Sequence, residues 1–391
     1  MLIGIDASRA FIPQKTGTEN YSYWLLAALA KIDKKNHYKL YTRYKPSSRD
    51  FGELSRVAQA EGIQDTKSWP KNLEFVQINL PRLWTQLGLA AECLLHPPDV
   101  LFIPAHTLPV IRRLNLKTVV TIHDLGAQFL PGFHTTPQKF YLTASTKYAV
   151  KTATAIIAVS VATKKDLVEK FGADSAKIFV VYEGVNRKKF QISNDKFQIK
   201  KILKKYKIQK PYILFVGTVQ PRKNLVRLIE AFSRIIHNTK YNIHNFRLVI
   251  AGKLGWLYDD ILLAPKKFKI EKKVKFLNYI KDSDLSAIYS QAEVFVMPSL
   301  VEGFGLPILE SFAAGVPVAS SDSSSLPEVA GNAALYFDPE NTKDMEKAIT
   351  KVLTNAKLRD ELVEKGKKQV EKFSWEKCAE ETLKILERTA K

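Results

Sequence analysis

Two glutamates eight residues apart, Glu302 and Glu310, are joined through Gly303-Phe304-Gly305-Leu306-Pro307. The two glycines put no Cβ in the way, so backbone amides of the turn can approach a ligand closely. A helix predicted over 306–314 starts at that turn, and its first N–H groups and dipole favour a phosphate or sugar oxygen. Glu302 precedes the turn and Glu310 lies about one turn into the helix, so the carboxylates are not equivalent. One can reach the reacting end of a ligand, the other a hydroxyl farther along it. That arrangement suits a sugar carried on a nucleotide better than a bare phosphate.

Elements must hold these residues in place. Strand and helix signals alternate almost throughout, which points to parallel sheets with helices on both faces. Strands are predicted over 2–6, 38–42, 73–78, 100–103, 118–122, 155–159 and 178–181, with helices over 19–31, 84–95, 137–151 and 161–171. The basic, polar stretch 186–210 lacks a buried strand and reads as the domain junction. A second series follows, with strands over 212–216, 246–251, 274–277, 294–297, 316–320 and 334–337 and helices over 225–236, 283–291, 306–314 and 342–354. The last segment, 375–388, reads as an amphipathic helix with Ala379, Leu383 and Leu386 on one side.

A chain of 391 residues with 46% hydrophobic content can fill two cores. Its start, Leu2-Ile3-Gly4-Ile5-Asp6, reads as a buried strand rather than a signal peptide. No apolar run is long enough to cross a bilayer. Cys93 and Cys378 are too few for a disulfide framework or a zinc site. The expectation is a cytoplasmic protein. A formal net charge of +21 predicts anionic partners without identifying them. Basic pairs such as Lys34-Lys35, Arg112-Arg113, Lys200-Lys201 and Lys272-Lys273 are scattered and read chiefly as solvated helix faces. A minority would hold the protein peripherally at the cytoplasmic face of an anionic membrane, at about 1 kcal/mol per basic residue. No RNA-binding aromatic signature, zinc finger or helix-turn-helix accompanies them, so nucleic acid is not an expected partner.

Four blocks in order then carry a resemblance: Phe215-Val216-Gly217 with Arg222-Lys223-Asn224; Phe295-Val296-Met297-Pro298-Ser299; Glu302 to Glu310; and Ala314-Gly315-Val316-Pro317-Val318. In the first half, Thr16-Gly17, Ile122-His123-Asp124 and Val159-Ser160 add to it. The chain resembles the retaining nucleotide-sugar glycosyltransferases of family 4. The resemblance implies the α/β GT-B fold, two Rossmann-like domains whose parallel sheets face each other across a deep crevice. It implies an acceptor-side domain over 1–190, a nucleotide-sugar-binding domain over 191–372, and a C-terminal helix over 373–391 returning to the first domain. Donor binding between the domains is expected to close them and exclude water.

The resemblance also implies roles. Breaking the bond from sugar C1 to a diphosphate builds charge on the leaving oxygens, which preplaced cations and backbone donors meet best. Arg222 and Lys223 follow a strand and Gly217, at the carboxyl end of the sheet where open α/β folds bind ligands. The family pattern puts them on the diphosphate, Glu302 near the sugar hydroxyls and Glu310 on the ribose hydroxyls. Amides around Gly303, Phe304, Gly305 and Leu306 would bind sugar and phosphate, with Gly17 approaching from the other domain and Lys253 as a further diphosphate or base-side candidate. His123 closes an apolar strand and would line the reaction centre, with Asp124 available to orient its ring. Reaction on one face, with the leaving phosphate helping to deprotonate the acceptor, is the expected route to retention.

Two departures from the family form stand out. Thr16-Gly17-Thr18-Glu19 has one glycine where many members have two or more. Tyr182-Glu183-Gly184-Val185 has Glu where Asn is common, and Glu183 is read as a turn residue without a catalytic role. Asp282-Ser283-Asp284 resembles the metal-binding Asp-x-Asp of the other major glycosyltransferase fold, but it stands where Asp and Ser are natural N-caps. The resemblance implies that cationic side chains do the work of the metal, so no metal or other cofactor is expected. After the first strand there is no Gly-x-Gly-x-x-Gly turn, which disfavours a Rossmann oxidoreductase.

Ile5-Asp6-Ala7-Ser8-Arg9, residues 16–21 and Leu83-Trp84 look most like bacterial-type mannosyltransferases of polysaccharide assembly. This favours GDP-mannose as donor and a glycan or polyprenyl-lipid-linked glycan as acceptor, with other sugars on UDP or GDP left open. Apolar residues of 80–89 would suit a lipid acceptor, or equally an ordinary core. The alternatives are a UDP-sugar enzyme making a small soluble glycoside and, from another class, a basic nucleic-acid-binding protein.

Overall fold

The computed structural model describes residues 1–12, 14–44, 72–80, 82–125, 136–190, 195–238, 240 and 243–391. Residues 191–194 of the expected junction and Pro81 of the 80–89 segment lie outside the described residues. Two compact units result. The first takes its residues from Met1–Leu125, Pro137–Gly184 and Ser374–Lys391, and the second is built on Val185–Phe373.

The first unit holds seven parallel strands: β1 (Leu2–Asp6), β2 (His37–Thr42), β3 (Leu73–Gln77), β4 (Val100–Ile103), β5 (Lys117–Ile122), β6 (Ala155–Ala158) and β7 (Ile178–Val180). Their order is β3-β2-β1-β4-β5-β6-β7, which reverses direction between β1 and β4. β4 and β6 are buried at every residue, as strands covered on both faces must be. The helix Gly17–Ile32 leaves β1 through a capping box in which the Thr16 N–H donates to Glu19 Oε2 at 3.0 Å. The helix expected over 84–95 is instead a π-helical turn, Trp84–Leu89, running into an α-helix, Ala90–Leu95. Trp84 is core, its indole N–H donating to the Ile78 carbonyl at 3.2 Å, whereas Leu83 and Leu87 face outward.

The C-terminal helix Trp375–Ala390 also belongs to this unit. It packs on Gly17–Ile32, with Lys31 Nζ 3.0 Å from Glu376 Oε1 and Asn36 Nδ2 donating to Glu387 Oε1 at 3.1 Å. Ala379 and Leu386 are buried and Leu383 is half-buried, which is the side the periodicity selects.

The second unit holds six parallel strands: β8 (Tyr212–Val216), β9 (Arg247–Ala251), β10 (Val274–Leu277), β11 (Val294–Met297), β12 (Val318–Ser321) and β13 (Ala334–Phe337). Their order is β10-β9-β8-β11-β12-β13, with the reversal between β8 and β11. β12 begins two residues later than expected from 316–320, because Pro317 has no N–H for the ladder and serves only as acceptor, to Phe295 N at 3.0 Å. Helices Asp259–Lys267, with Pro265 inside it, and Ala356–Val370 add to those expected.

Candidate active site

The loops after β8 and β11 meet where the strand order reverses, the place at which open α/β sheets bind ligands. Asn224 ties them together from a left-handed backbone position, its amide donating to Pro298 O at 3.0 Å and Pro339 O at 2.7 Å. The Leu300 N–H donates to Arg222 O at 2.9 Å. Arg222, Lys223 and Glu302 are thereby brought into one cluster. Arg222 Nη1 donates to Glu302 Oε2 and to Val301 O, each at 2.9 Å, and Lys223 Nζ donates to Glu302 Oε1. Side-chain exposures of 16%, 8% and 8% place all three largely out of water. Burial alone would push the Glu302 carboxyl up, yet the Lys223 ammonium and Arg222 guanidinium hold it down at about 2. Two cations on one carboxylate leave net positive charge at the sheet's carboxyl end, which is what an incoming diphosphate requires.

The turn after Glu302 is held by a serine run that the motif reading missed. Ser324 Oγ donates to Glu302 O at 2.6 Å, and Ser325 Oγ to Glu302 O at 3.0 Å and Phe304 O at 2.9 Å. Ser323 Oγ donates to Leu300 O. Phe304 is buried against Phe373 at 5.7 Å, and Gly305 adopts φ 117° ahead of the helix Leu306–Ala313. The run Ser320-Ser321 to Ser323-Ser324-Ser325 was the available signal, since so many hydroxyls after a strand end need carbonyl partners.

Glu310 lies on that helix, half-buried, and accepts from Tyr289 Oη at 2.8 Å. Burial pushes its carboxyl up, opposed by the Lys189 ammonium and the tyrosine hydroxyl. Glu310 is thus shifted in the opposite direction to Glu302. Gly217 and Gly252, at the ends of β8 and β9, pack back to back. A Cβ on Gly252 would sit 2.0 Å from Gly217 O, and the two have φ 146° and 156°, so neither tolerates a side chain. Lys253 follows, its carbonyl accepting from Val219 N at 2.9 Å.

Gly17 and His123 stand in the first unit. Gly17 opens its helix, and a Cβ there would meet nothing within 4 Å. His123 is buried at the end of β5. Its Nδ1 faces Glu183 Oε1 at 3.1 Å and its Nε2 faces Pro104 O at 2.8 Å. Glu183, read from sequence as a turn residue, is thus the ring's partner. His106 packs 5.7 Å from the His123 ring, and burial together with His123 lowers its pKa to about 4, so it is neutral near pH 7.

The N-cap reading of Asp282-Ser283-Asp284 is also corrected. Lys281 is the cap, and the acids occupy the first turn of the helix Asp282–Ser290. Asp284 Oδ2 pairs with Lys205 Nζ at 2.5 Å and accepts from Tyr206 Oη at 2.8 Å, while Asp282 pairs with Lys189 at 3.0 Å. Among the described residues no group of three or more His, Cys, Asp or Glu side chains is arranged to hold a metal ion.

Comparison with known proteins bears on the family and the fold. Residues 16–189 match the family described as Glycosyltransferase Family 4, and residues 195–369 match Glycosyl transferases group 1. O-antigen chain mannosyltransferase B of Escherichia coli is 30% identical over 268 residues, spanning 68% of this chain and 69% of that protein. O-antigen chain mannosyltransferase RfbU of Salmonella typhimurium is 30% identical over 63% of each chain. Among solved structures, WaaG, a glycosyltransferase involved in lipopolysaccharide biosynthesis, superposes with TM-score 0.72 at 16% identity over 99% of both chains. Anabaena HepE in complex with UDP-glucose does so with TM-score 0.71 at 15% identity, also over 99% of both. The fold is that of the GT-B glycosyltransferases, and the chain belongs to glycosyltransferase family 4.

Proposed function

We propose that the protein is a retaining, metal-independent glycosyltransferase that moves mannose from GDP-mannose to a hydroxyl of a glycan or lipid-linked glycan, working at the cytoplasmic face of a membrane. The observation that carries this reading is the Arg222–Lys223–Glu302 cluster at the strand reversal of the second unit. In this reading the diphosphate takes over Arg222 and Lys223, as a dianion between two fixed cations. Glu302, released from part of its pairing, accepts from sugar hydroxyls. Glu310 accepts from the ribose hydroxyls alongside its bond from Tyr289. The C1–oxygen bond breaks with its electron pair going to the diphosphate. The acceptor oxygen bonds to C1 on the same face, and its proton passes to a leaving phosphate oxygen. Arg222 and Lys223 supply the positive charge for which other transferases use a metal. Lys253, Gly217 and the amides of Gly303, Phe304, Gly305 and Leu306 complete the donor contacts within the second unit. His123 lines the acceptor side.

Mannose is favoured by the two relatives named as O-antigen mannosyltransferases. A UDP-hexose is the second reading, favoured by the HepE complex with UDP-glucose. Transfer assays with GDP-mannose and UDP-glucose in EDTA, onto polyprenyl-linked oligosaccharide, separate the two. An α-linked product from an α-linked donor supports retention. An inverted product, or a glycosylated Asp or Glu trapped on the protein, contradicts the proposed route.

A further inference from the structure

His123 and Glu183 lie 60 residues apart in sequence, yet their side chains form one buried unit with exposures of 9% and 5%. Both ring nitrogens face acceptors, the Glu183 carboxylate at 3.1 Å and the Pro104 carbonyl at 2.8 Å. Whichever nitrogen carries a proton therefore gives it to the protein. Two further rings pack against it. Tyr21 stands edge-on at 4.6 Å with its own hydroxyl 3.2 Å from Thr121 Oγ1, and His106 packs at 5.7 Å.

Glu183 is itself fixed from behind. A Cβ on Gly184 would lie 2.2 Å from the Trp375 backbone nitrogen, so the chain at 184 rests directly on the first residue of the helix Trp375–Ala390. The Trp375 ring in turn stands 6.0 Å from Tyr21. An asparagine, the common residue here in the family, is shorter by one methylene and would leave the Nδ1 contact about 1.5 Å longer on the same backbone.

We propose that Glu183 is a positioning residue: through Nδ1 it fixes the His123 ring with both nitrogens turned towards acceptors of the protein, making His123 a shaped wall of the acceptor side rather than a base. This deepens the transfer reading above and rests on it for its kinetic arm. The test uses full-length protein labelled with 15N-histidine, with the His123 signal assigned by its loss in His123→Gln. The wild type is expected to show an exchange-protected Nδ1 proton on His123. Glu183→Gln, whose amide oxygen still accepts, should keep it, and Glu183→Ala should lose it. In steady-state assays Glu183→Ala should lower kcat about tenfold with the donor KM within about threefold, and Glu183→Gln should recover most of that loss. An unprotected Nδ1 proton in the wild type, its persistence in Glu183→Ala, or an unchanged kcat there overturns the proposal. Should the wild type turn over no sugar nucleotide, the transfer reading fails, and the resonance comparison alone still decides whether Glu183 holds the ring.

Discussion

At the scale of single residues, two glutamates of the same chemistry are tuned in opposite directions by their neighbours. Glu302 sits between two cations with its carboxyl held at about 2, so Glu302→Ala removes a buried carboxylate that both cations share. Loss of a buried partner costs about 3–5 kcal/mol, and urea unfolding should read a decrease of that order. The folded value lies below the usual 4.5, so this stabilisation is complete above pH 4.5 and is lost as pH falls towards 2. Glu310 has the other sign. Burial raises its carboxyl, so its contribution to folding weakens as pH rises above the usual carboxylate range. Glu310→Gln should leave thermal stability equal or higher while weakening nucleotide-sugar binding about tenfold or more, the loss of a charge-assisted bond of about 1.5–3 kcal/mol. A melting temperature that falls with affinity intact would make Glu310 a structural residue. These carboxylates were legible because their signal is local, a glycine turn and a helix start within nine residues of sequence. The pairing of His123 with Glu183 was not, because only the sheet order brings positions 123 and 183 together.

At the scale of elements, the site depends on strand ends approaching closely. Gly252→Ala would drive a Cβ into Gly217 O from a backbone φ of 146°. It should destabilise the second unit by about 3 kcal/mol or more, measured by chemical denaturation. Gly17→Ala is the contrasting case, since nothing lies within 4 Å of the added methyl. Stability should stay within about 1 kcal/mol in the same denaturation experiment. Strands were legible as short apolar runs between turns, and their alternation with helices gave the parallel class. What escaped were features whose cause is tertiary: the π-turn at Trp84, the Pro-containing helix Asp259–Lys267, and the ion pair that claims Asp284.

At the scale of the whole molecule, the charge of +21 is too dispersed to name a partner from sequence. In the first unit Leu83, Leu87, Val110 and Ile111 are exposed, and Gln86 donates to Leu108 O at 3.0 Å and accepts from Val110 N at 2.8 Å. No helix among the described residues is long and apolar enough to cross a membrane. An anionic membrane as partner then predicts binding to phosphatidylglycerol vesicles that weakens between 0.1 and 1 M salt, as the screening length falls from about 10 to about 3 Å. Equal binding to neutral vesicles at both salts would remove charge from the explanation.

The central claim is that the second unit grips a nucleotide-sugar through Arg222, Lys223 and Glu310. Its most direct test is calorimetric titration of wild type and Glu310→Gln with GDP-mannose and with UDP-glucose, in EDTA. Saturation by one nucleotide series, weakened in the variant and accompanied by about 2.7 kcal/mol of added stability at roughly 100 times Kd, is the predicted result. Absence of binding by either donor, or binding that ignores the substitution, would contradict it.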